Sequence, residues 1–162
     1  MPLNTHITSY IQTHKYDNYF NYDLAVDWAI MLLENGLETP NLLMLASFGP
    51  PIESREISPY IAAVLKDMGL QLLEGDEALS VILRYYSTEI ILNNSLRNNL
   101  GRLHKLAMEK DLPPDLMPFY LLYYAWDDLD YGIDFTGYYP GATLENIESL
   151  LKKEAFEWLD RN

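Results

Sequence analysis

Four aspartates fall within a span of eight residues: Asp127, Asp128, Asp130 and Asp134. Carboxylates this close together can bind a hard cation, move protons in acid–base catalysis, or attract a cationic partner. If Asp127 is the first ligand of a calcium loop, Gly132 stands at the sixth position, where that loop requires glycine. Positions three, five and twelve would be Leu129, Tyr131 and Tyr138, none of which has a carboxylate. The sequence therefore does not predict a calcium loop.

Other signatures of catalysis and metal binding are absent from the sequence. It has no cysteine, no HExxH, no Glu-x-x-His pair and no GxSxG. The three histidines are far apart in sequence: His6, His14 and His104. Gly132 and Gly137 have the outer spacing of a phosphate-binding loop, but Tyr138 and Tyr139 replace the Lys and Ser or Thr that such a loop needs. We therefore predict no catalytic residue, no metal site and no cofactor.

Three hypotheses explain the aspartate cluster: a solvated helix end, a docking patch for a cationic partner, or a hard-metal or catalytic carboxylate site. Acids at a helix C-terminus oppose the helix dipole, at a cost of a few tenths to about 1 kcal/mol each, so a compensating interaction is expected. Tyrosines follow on a predicted loop, and tyrosine is enriched at protein interfaces. This favours docking. The predicted partner-binding residues are Asp127, Asp128, Asp130, Tyr131, Asp134, Tyr138 and Tyr139.

The charge of the chain points to a basic partner. The formal net charge is −13 over 162 residues, and the stretch from Asp111 to Asp134 has six aspartates and no basic residue. A field of this sign repels phosphate backbones and anionic lipid surfaces, so we expect a basic protein partner and neither nucleic acid nor membrane. The N-terminal stretch lacks the basic and apolar segments of a signal peptide, so a cytoplasmic location is expected.

One helix is predicted to be central, from Leu116 to Gly132. Its first eleven residues are uncharged and its apolar and aromatic side chains cover every direction of a 3.6-residue period, which predicts a helix enclosed by its neighbours. Eleven residues are too few to cross a bilayer, which needs roughly 20. Asp115 is the predicted N-cap, Pro118 fits the first turn, and Gly132 marks the end.

The remaining segments also have helical periodicity. Helices are predicted over 4–15, 23–35, from Thr39 as N-cap, from Ser54 or Ser58 to 68, over 76–92, from Ser95 as N-cap, and from Thr143 as N-cap to the C-terminus, with Leu144 directed inward. Pro59 is expected to kink its helix or mark its start. The short connections predict seven or eight antiparallel helices in an irregular bundle or a short α-solenoid-like array. We expect one domain over residues 1–162.

The block from Asp27 to Ile61 resembles small all-helical bacterial proteins of the immunity, or toxin-neutralising, type. The residues that carry this resemblance are Trp28, Leu32, Leu33, Gly36, Thr39, Pro40 and Leu45. The resemblance implies an all-helical fold and a non-enzymatic protein that neutralises a basic partner. Two alternatives fit the same sequence: a helical enzyme or metal-binding domain that uses the aspartates, and a structural scaffold with a helical groove.

Overall fold

The computed structural model describes residues 5–162. This part of the chain forms eight α-helices and one short 3-10 helix, and none of its residues lies in a β-strand. The α-helices are α1 (Thr5–Ile11), α2 (Tyr22–Glu34), α3 (Pro40–Ala46), α4 (Ser54–Asp67), α5 (Gly75–Ile91), α6 (Leu96–Glu109), α7 (Met117–Asp130) and α8 (Ile147–Arg161). The predicted all-α fold is confirmed. The predicted start of the first helix at Asn4 lies outside the described residues.

The chain divides into two compact units, the first ending at Ile82 and the second spanning Leu83–Asn162. The boundary falls inside α5, which is one continuous helix of 17 residues. Its β-branched residues are compatible with a strand, but the helix predicted over 76–92 is present. The hydroxyl of Thr88 donates to the carbonyl of Arg84 at 2.8 Å, so this β-branched side chain bonds within the helix. The expectation of one domain stays a prediction.

In the first unit, α2 packs against α1, α3 and α4. Trp28 of α2 is fully buried, and its indole N–H donates to the hydroxyl of Thr8 at 3.0 Å. That bond satisfies the one polar group of a large core side chain. Thr39 caps α3 as predicted, because its hydroxyl accepts from the amide of Leu42 at 3.1 Å and Pro40 is the first helical residue.

The predicted side-chain cap of α4 is wrong, although the helix begins at one of the two predicted serines. The helix begins at Ser54, the N-cap position belongs to Glu53, and no side chain caps it. Pro59 therefore lies inside α4 and does not mark its start. Because proline has no N–H, α4 lacks one backbone hydrogen bond in its first turns, the bond to the carbonyl four residues before Pro59. The helix continues past this position.

In the second unit, α7 packs against α6, α8 and the 3-10 helix Pro114–Leu116. The predicted cap at Asp115 is wrong, because Asp115 lies within this 3-10 turn and Leu116 occupies the N-cap position of α7. A 3-10 turn in front of an α-helix takes the place of a side-chain cap, since its tighter bonds fix the entering chain. Pro118 lies in the first turn of α7, as predicted.

The two remaining predicted N-caps, Ser95 and Thr143, differ in whether their side chains bond to the backbone near the helix start. Ser95 precedes α6, but its backbone is left-handed (φ +42°) and its hydroxyl makes no capping bond, because capping requires an extended backbone. Thr143 and Asn146 bond reciprocally before α8: the amide of Asn146 donates to the Thr143 hydroxyl, and the amide of Thr143 donates to the Asn146 side chain. Leu144, predicted to point inward, is exposed since it lies in the turn that precedes the first helical residue, Ile147.

The prediction that α7 is enclosed on all sides is wrong. Its buried residues form one stripe: Phe119, Leu122, Ala125, Trp126 and Leu129. Tyr120, Tyr123 and Tyr124 are only half-buried. Tyrosine suits a half-buried position because its ring packs against protein while its hydroxyl reaches water.

No helix within residues 5–162 has the length and apolar character that crossing a membrane requires.

Candidate functional site

The C-terminal end of α7 fixes where the following loop begins. The amide of Gly132 donates to the carbonyl of Leu129 at 3.1 Å, and the amide of Ile133 donates to the carbonyl of Asp128 at 3.0 Å. This pair of bonds is the Schellman motif, which needs a left-handed residue just past the helix, and Gly132 has a φ of +85°. The predicted helix end at Gly132 is confirmed, and the chain leaves α7 in a defined direction.

Arg97, in the first turn of α6, lies against the acidic end of α7. Its guanidinium donates to the carboxylate of Asp127 at 3.1 Å and to that of Asp130. A cation at this place compensates both the mutual repulsion of the two aspartates and their unfavourable interaction with the helix dipole. Arg97 is thus the compensating interaction that the acidic helix end requires.

The other two predicted aspartates are not neutralised in this way. Within residues 5–162, neither Asp128 nor Asp134 has an ion pair or a side-chain hydrogen bond. Between and beside them, Tyr131 exposes 86% of its surface and Phe135 exposes 75%. Three further apolar side chains of the same loop are exposed: Ile133, Tyr138 and Leu144. The loop therefore presents apolar area and negative charge together.

The loop is held to the second unit by its later tyrosines. The hydroxyl of Tyr139 donates to the carboxylate of Glu154 at 2.6 Å, and the ring of Tyr138 lies 5.3 Å from that of Tyr124. Burial and the bond to Glu154 both raise the pKa of Tyr139, so it stays protonated and can donate. The hydroxyl of the buried Thr136 accepts from the amide of Tyr138 at 3.2 Å. The exposed aromatics are thus carried on an anchored segment.

A histidine–tyrosine cluster underlies this end of α7. His104 of α6 is buried and stacks on Tyr123, with ring centroids 3.9 Å apart, and its ring also contacts Tyr120 and Tyr124. Its Nε2 has no hydrogen-bond partner in the described chain. Burial lowers the pKa of His104, partly offset by the charge of Asp127, which keeps the imidazole neutral near pH 7. We assign this cluster a packing role between α6 and α7.

The predicted site residues thus separate into three groups. Asp127 and Asp130 are paired with Arg97, Tyr139 anchors the loop, and the rest are available at the surface. We define the docking surface as Asp128, Tyr131, Asp134, Phe135 and Tyr138. Arg97 and Phe135 were not among the predicted site residues. Phe135 could have been found from its position in the glycine-rich loop next to Asp134, whereas Arg97, 30 residues before Asp127, carries no local signal.

Within residues 5–162, no group of three or more histidine, aspartate or glutamate side chains is arranged to hold a metal ion. No protein-family model, curated protein or solved structure matches the chain. Function is therefore inferred from the residues of the site, and the resemblance of the Asp27–Ile61 block stays a prediction.

Proposed function

We propose that this chain is a non-enzymatic protein-binding module that docks a cationic protein through the docking surface. One observation carries the proposal. Tyr131 and Phe135 expose 86% and 75% of their surface next to Asp128 and Asp134. Large exposed aromatics of this kind are unfavourable in water and are common at the centre of protein interfaces, where they bury much area at little cost in conformational entropy.

The charge around the docking surface supports a cationic partner. From Asp111 to Leu151 the sequence has eight acidic residues and no lysine, arginine or histidine, and Arg97 matches two of the eight. Such a region attracts a positive surface, raises the association rate and disfavours acidic partners. The same field opposes binding of nucleic acid and of anionic membranes, so neither is part of the proposal.

The anchoring of the loop supports affinity. The Schellman bonds at Gly132 and the Tyr139–Glu154 bond hold the backbone on either side of Phe135. A segment that is already ordered loses less conformational entropy on binding than a flexible one. The docking surface therefore suits a stable complex better than a transient encounter.

Within this class we propose an immunity-type inhibitor acting in the cytoplasm. The support is the sequence resemblance of the Asp27–Ile61 block, together with the acidic surface, which has the sign needed to cover a basic face of a toxin. The proposal assigns this chain no catalytic step, because the role of the surface is to occupy the partner.

Affinity capture with matched variants tests the proposal. The immobilised protein is incubated with lysate of its own cell at low and at high salt, and the retained proteins are identified by mass spectrometry. Two variants change the surface: Tyr131→Ser with Phe135→Ser, and Asp128→Asn with Asp134→Asn. Two controls change exposed apolar and acidic side chains elsewhere: Leu43→Ser with Met44→Ser, and Glu34→Gln with Glu38→Gln.

We expect the wild type and both controls to retain the same protein of basic sequence, with retention falling at high salt because surface charges are screened. Both docking-surface variants should retain much less of this protein. Equal retention by all five proteins, or a retained protein of acidic sequence, would contradict the proposal.

A further inference from the structure

A buried histidine is linked to the docking surface through tyrosine rings. His104 of α6 meets the ring of Tyr124 edge-on, with ring centroids 5.0 Å apart. The ring of Tyr124 in turn lies 5.3 Å from that of Tyr138, which belongs to the docking surface. Protein interiors are close-packed, so a ring that is displaced moves its neighbours. A change at His104 therefore reaches the docking surface through two ring contacts.

The surroundings of His104 suit an uncharged imidazole. The residue is 8% exposed, its ring stacks on Tyr123 with the two planes 15° apart, and Nε2 has no hydrogen-bond partner in the described chain. Protonation places a hydrogen on both ring nitrogens, so Nε2 becomes a buried charged donor without an acceptor. Such a donor is unfavourable in this position. The charged ring therefore has to leave its stack to reach water or an acceptor.

The groups that face His104 add charges of both signs. On α7 and on α6 itself they are Tyr120, Tyr123, Tyr124, Asp127 and Lys105. The 3-10 helix, which also packs against α6, carries one acid, Asp115. Burial has the largest effect and lowers the pKa of His104, the charge of Asp127 raises this pKa, and that of Lys105 lowers it again. Because Asp127 is paired with Arg97, its attraction for an imidazolium is reduced.

We propose that His104 is a pH-sensitive switch for the docking surface: protonation of its imidazole opens the ring contacts of Tyr124 and weakens binding of the cationic partner. This inference rests on the proposed function and adds regulation of the same surface. Two effects act in one direction. The charged ring disturbs the packing that holds Tyr138, and a new positive charge next to an acidic surface reduces the attraction of that surface for a cation.

The direction of the pH dependence follows from proton linkage. A partner that binds only the neutral form excludes one proton from His104. Its affinity is then complete above the pKa of His104 in the free chain and falls below that pKa, by up to about tenfold per pH unit. Because burial lowers this pKa, the loss lies below the ordinary value of 6.5. By reciprocity, the bound partner lowers the pKa of His104 further.

NMR of the free chain tests the switch without any partner. The imidazole of His104 is titrated from pH 7.5 downward, and the nuclear Overhauser effect between the rings of Tyr124 and Tyr138 is followed over the same range. Circular dichroism checks that the chain is folded at each pH. His104→Phe keeps an aromatic ring in the stack and removes the proton. His14→Phe is the matched control, because His14 is the other buried histidine whose Nε2 has no partner in the described chain.

We expect the Overhauser effect between Tyr124 and Tyr138 to be lost over the pH range in which His104 titrates, in the wild type and in His14→Phe. It should persist in His104→Phe. A His104 that stays neutral throughout the range in which the chain is folded would overturn the inference, and so would an Overhauser effect that persists while His104 titrates.

Binding gives the second readout. The protein retained by affinity capture is titrated at pH 7.5 and at one pH unit below the midpoint of His104. The wild type and His14→Phe should bind it about tenfold more weakly at the lower pH, and His104→Phe should lose less than about twofold. Titration of the partner itself affects all three proteins alike. An equal loss in His104→Phe and the wild type would overturn the inference.

The titration of the free chain keeps this outcome separate from the proposed function. If the docking-surface variants lose the partner but the contact between Tyr124 and Tyr138 does not follow His104, the switch is wrong and the docking surface stands. If that contact follows His104 but the docking-surface variants still capture the partner, the proposed function is wrong and the coupling within the chain stands.

Discussion

Arg97 determines how much of the acidic cluster is available to a partner. Its side chain bridges Asp127 and Asp130 and covers one face of Trp126, so one residue of α6 contacts three residues of α7. The sequence predicts the acids and the need for a compensating charge, because both follow from local position on a helix. The identity of that charge depends on how α6 packs against α7, and no local pattern contains this information.

Replacing Arg97 with Gln should reduce the free energy of unfolding by about 1 to 2 kcal/mol. The ion pairs are half-exposed and contribute at most about 1 kcal/mol each, and the cation–π contact contributes a similar amount. Urea denaturation measures the loss. Lys153→Gln, which removes an exposed lysine of α8, should change stability by less than about 0.5 kcal/mol. A comparable loss in both variants would show that the Arg97 contacts stabilise the protein no more than an ordinary surface charge does.

His14 should make the protein less stable in acid. It is 1% exposed, its Nδ1–H donates to the carbonyl of Ile11, and Nε2 has no partner in the described chain, so burial lowers its pKa to about 4. The unfolded chain, with an ordinary pKa near 6.5, binds more protons between these values, so stability present above pH 6.5 is lost as the pH falls toward 4. The loss from this group reaches about 3 kcal/mol.

An NMR titration of the His14 imidazole checks this directly, and denaturation at pH 7 and pH 4.5 checks its consequence. Replacement of His14 by Gln should flatten this part of the pH dependence. A His14 that titrates near 6.5 in the folded protein would mean that the ring is accessible to water.

At the scale of helices, the sequence predicts that a helix is present more reliably than it predicts the residues at which the helix begins and ends. All the predicted helices are present, because their periodicity extends over many residues and survives errors at individual positions. The predicted side-chain caps of α4, α6 and α7 are absent: Glu53 precedes α4 without a capping bond, Ser95 has a left-handed backbone before α6, and a 3-10 turn precedes α7. The burial of α7 was overestimated since tyrosine counts as apolar in a periodicity but packs with one end in water.

Thr39 and Ser95 provide a matched test of these caps. Both occupy N-cap positions, but only Thr39 accepts a bond from a backbone amide. Thr39→Ala should therefore cost about 1 kcal/mol, and Ser95→Ala should cost less than about 0.3 kcal/mol. Thermal or urea denaturation of the two variants gives the comparison, and a larger loss at Ser95 than at Thr39 would reverse the assignment.

At the scale of the whole molecule, charge and composition predict an acidic all-helical protein but not its division into two compact units. The sequence has no signal for this division because the boundary lies within α5, without the glycine-rich or proline-rich linker that marks a boundary in sequence. Buried residues lie on α5 on both sides of that boundary, with Ala78 and Ile82 before it and Leu83 and Ile90 after it.

We expect the two units to unfold together, because α5 is one continuous helix that carries buried residues of both units. Tryptophan fluorescence can report on each unit separately. Trp28 is the reporter in a variant with Trp126→Phe and Trp158→Phe, and the latter two report in Trp28→Phe. Urea midpoints that agree between fluorescence and circular dichroism within each variant indicate one transition. Midpoints separated by more than about 0.5 M would indicate independent units.

The most direct test of the docking proposal is hydrogen–deuterium exchange of the protein alone and in complex with its captured partner. Binding through the docking surface should slow exchange at the backbone amides of residues 128–139, where water access is lost, and leave α2, α3 and α4 unchanged. Slowed exchange confined to α2–α4, with residues 128–139 unaffected, would contradict the proposal and place the binding surface on the first unit.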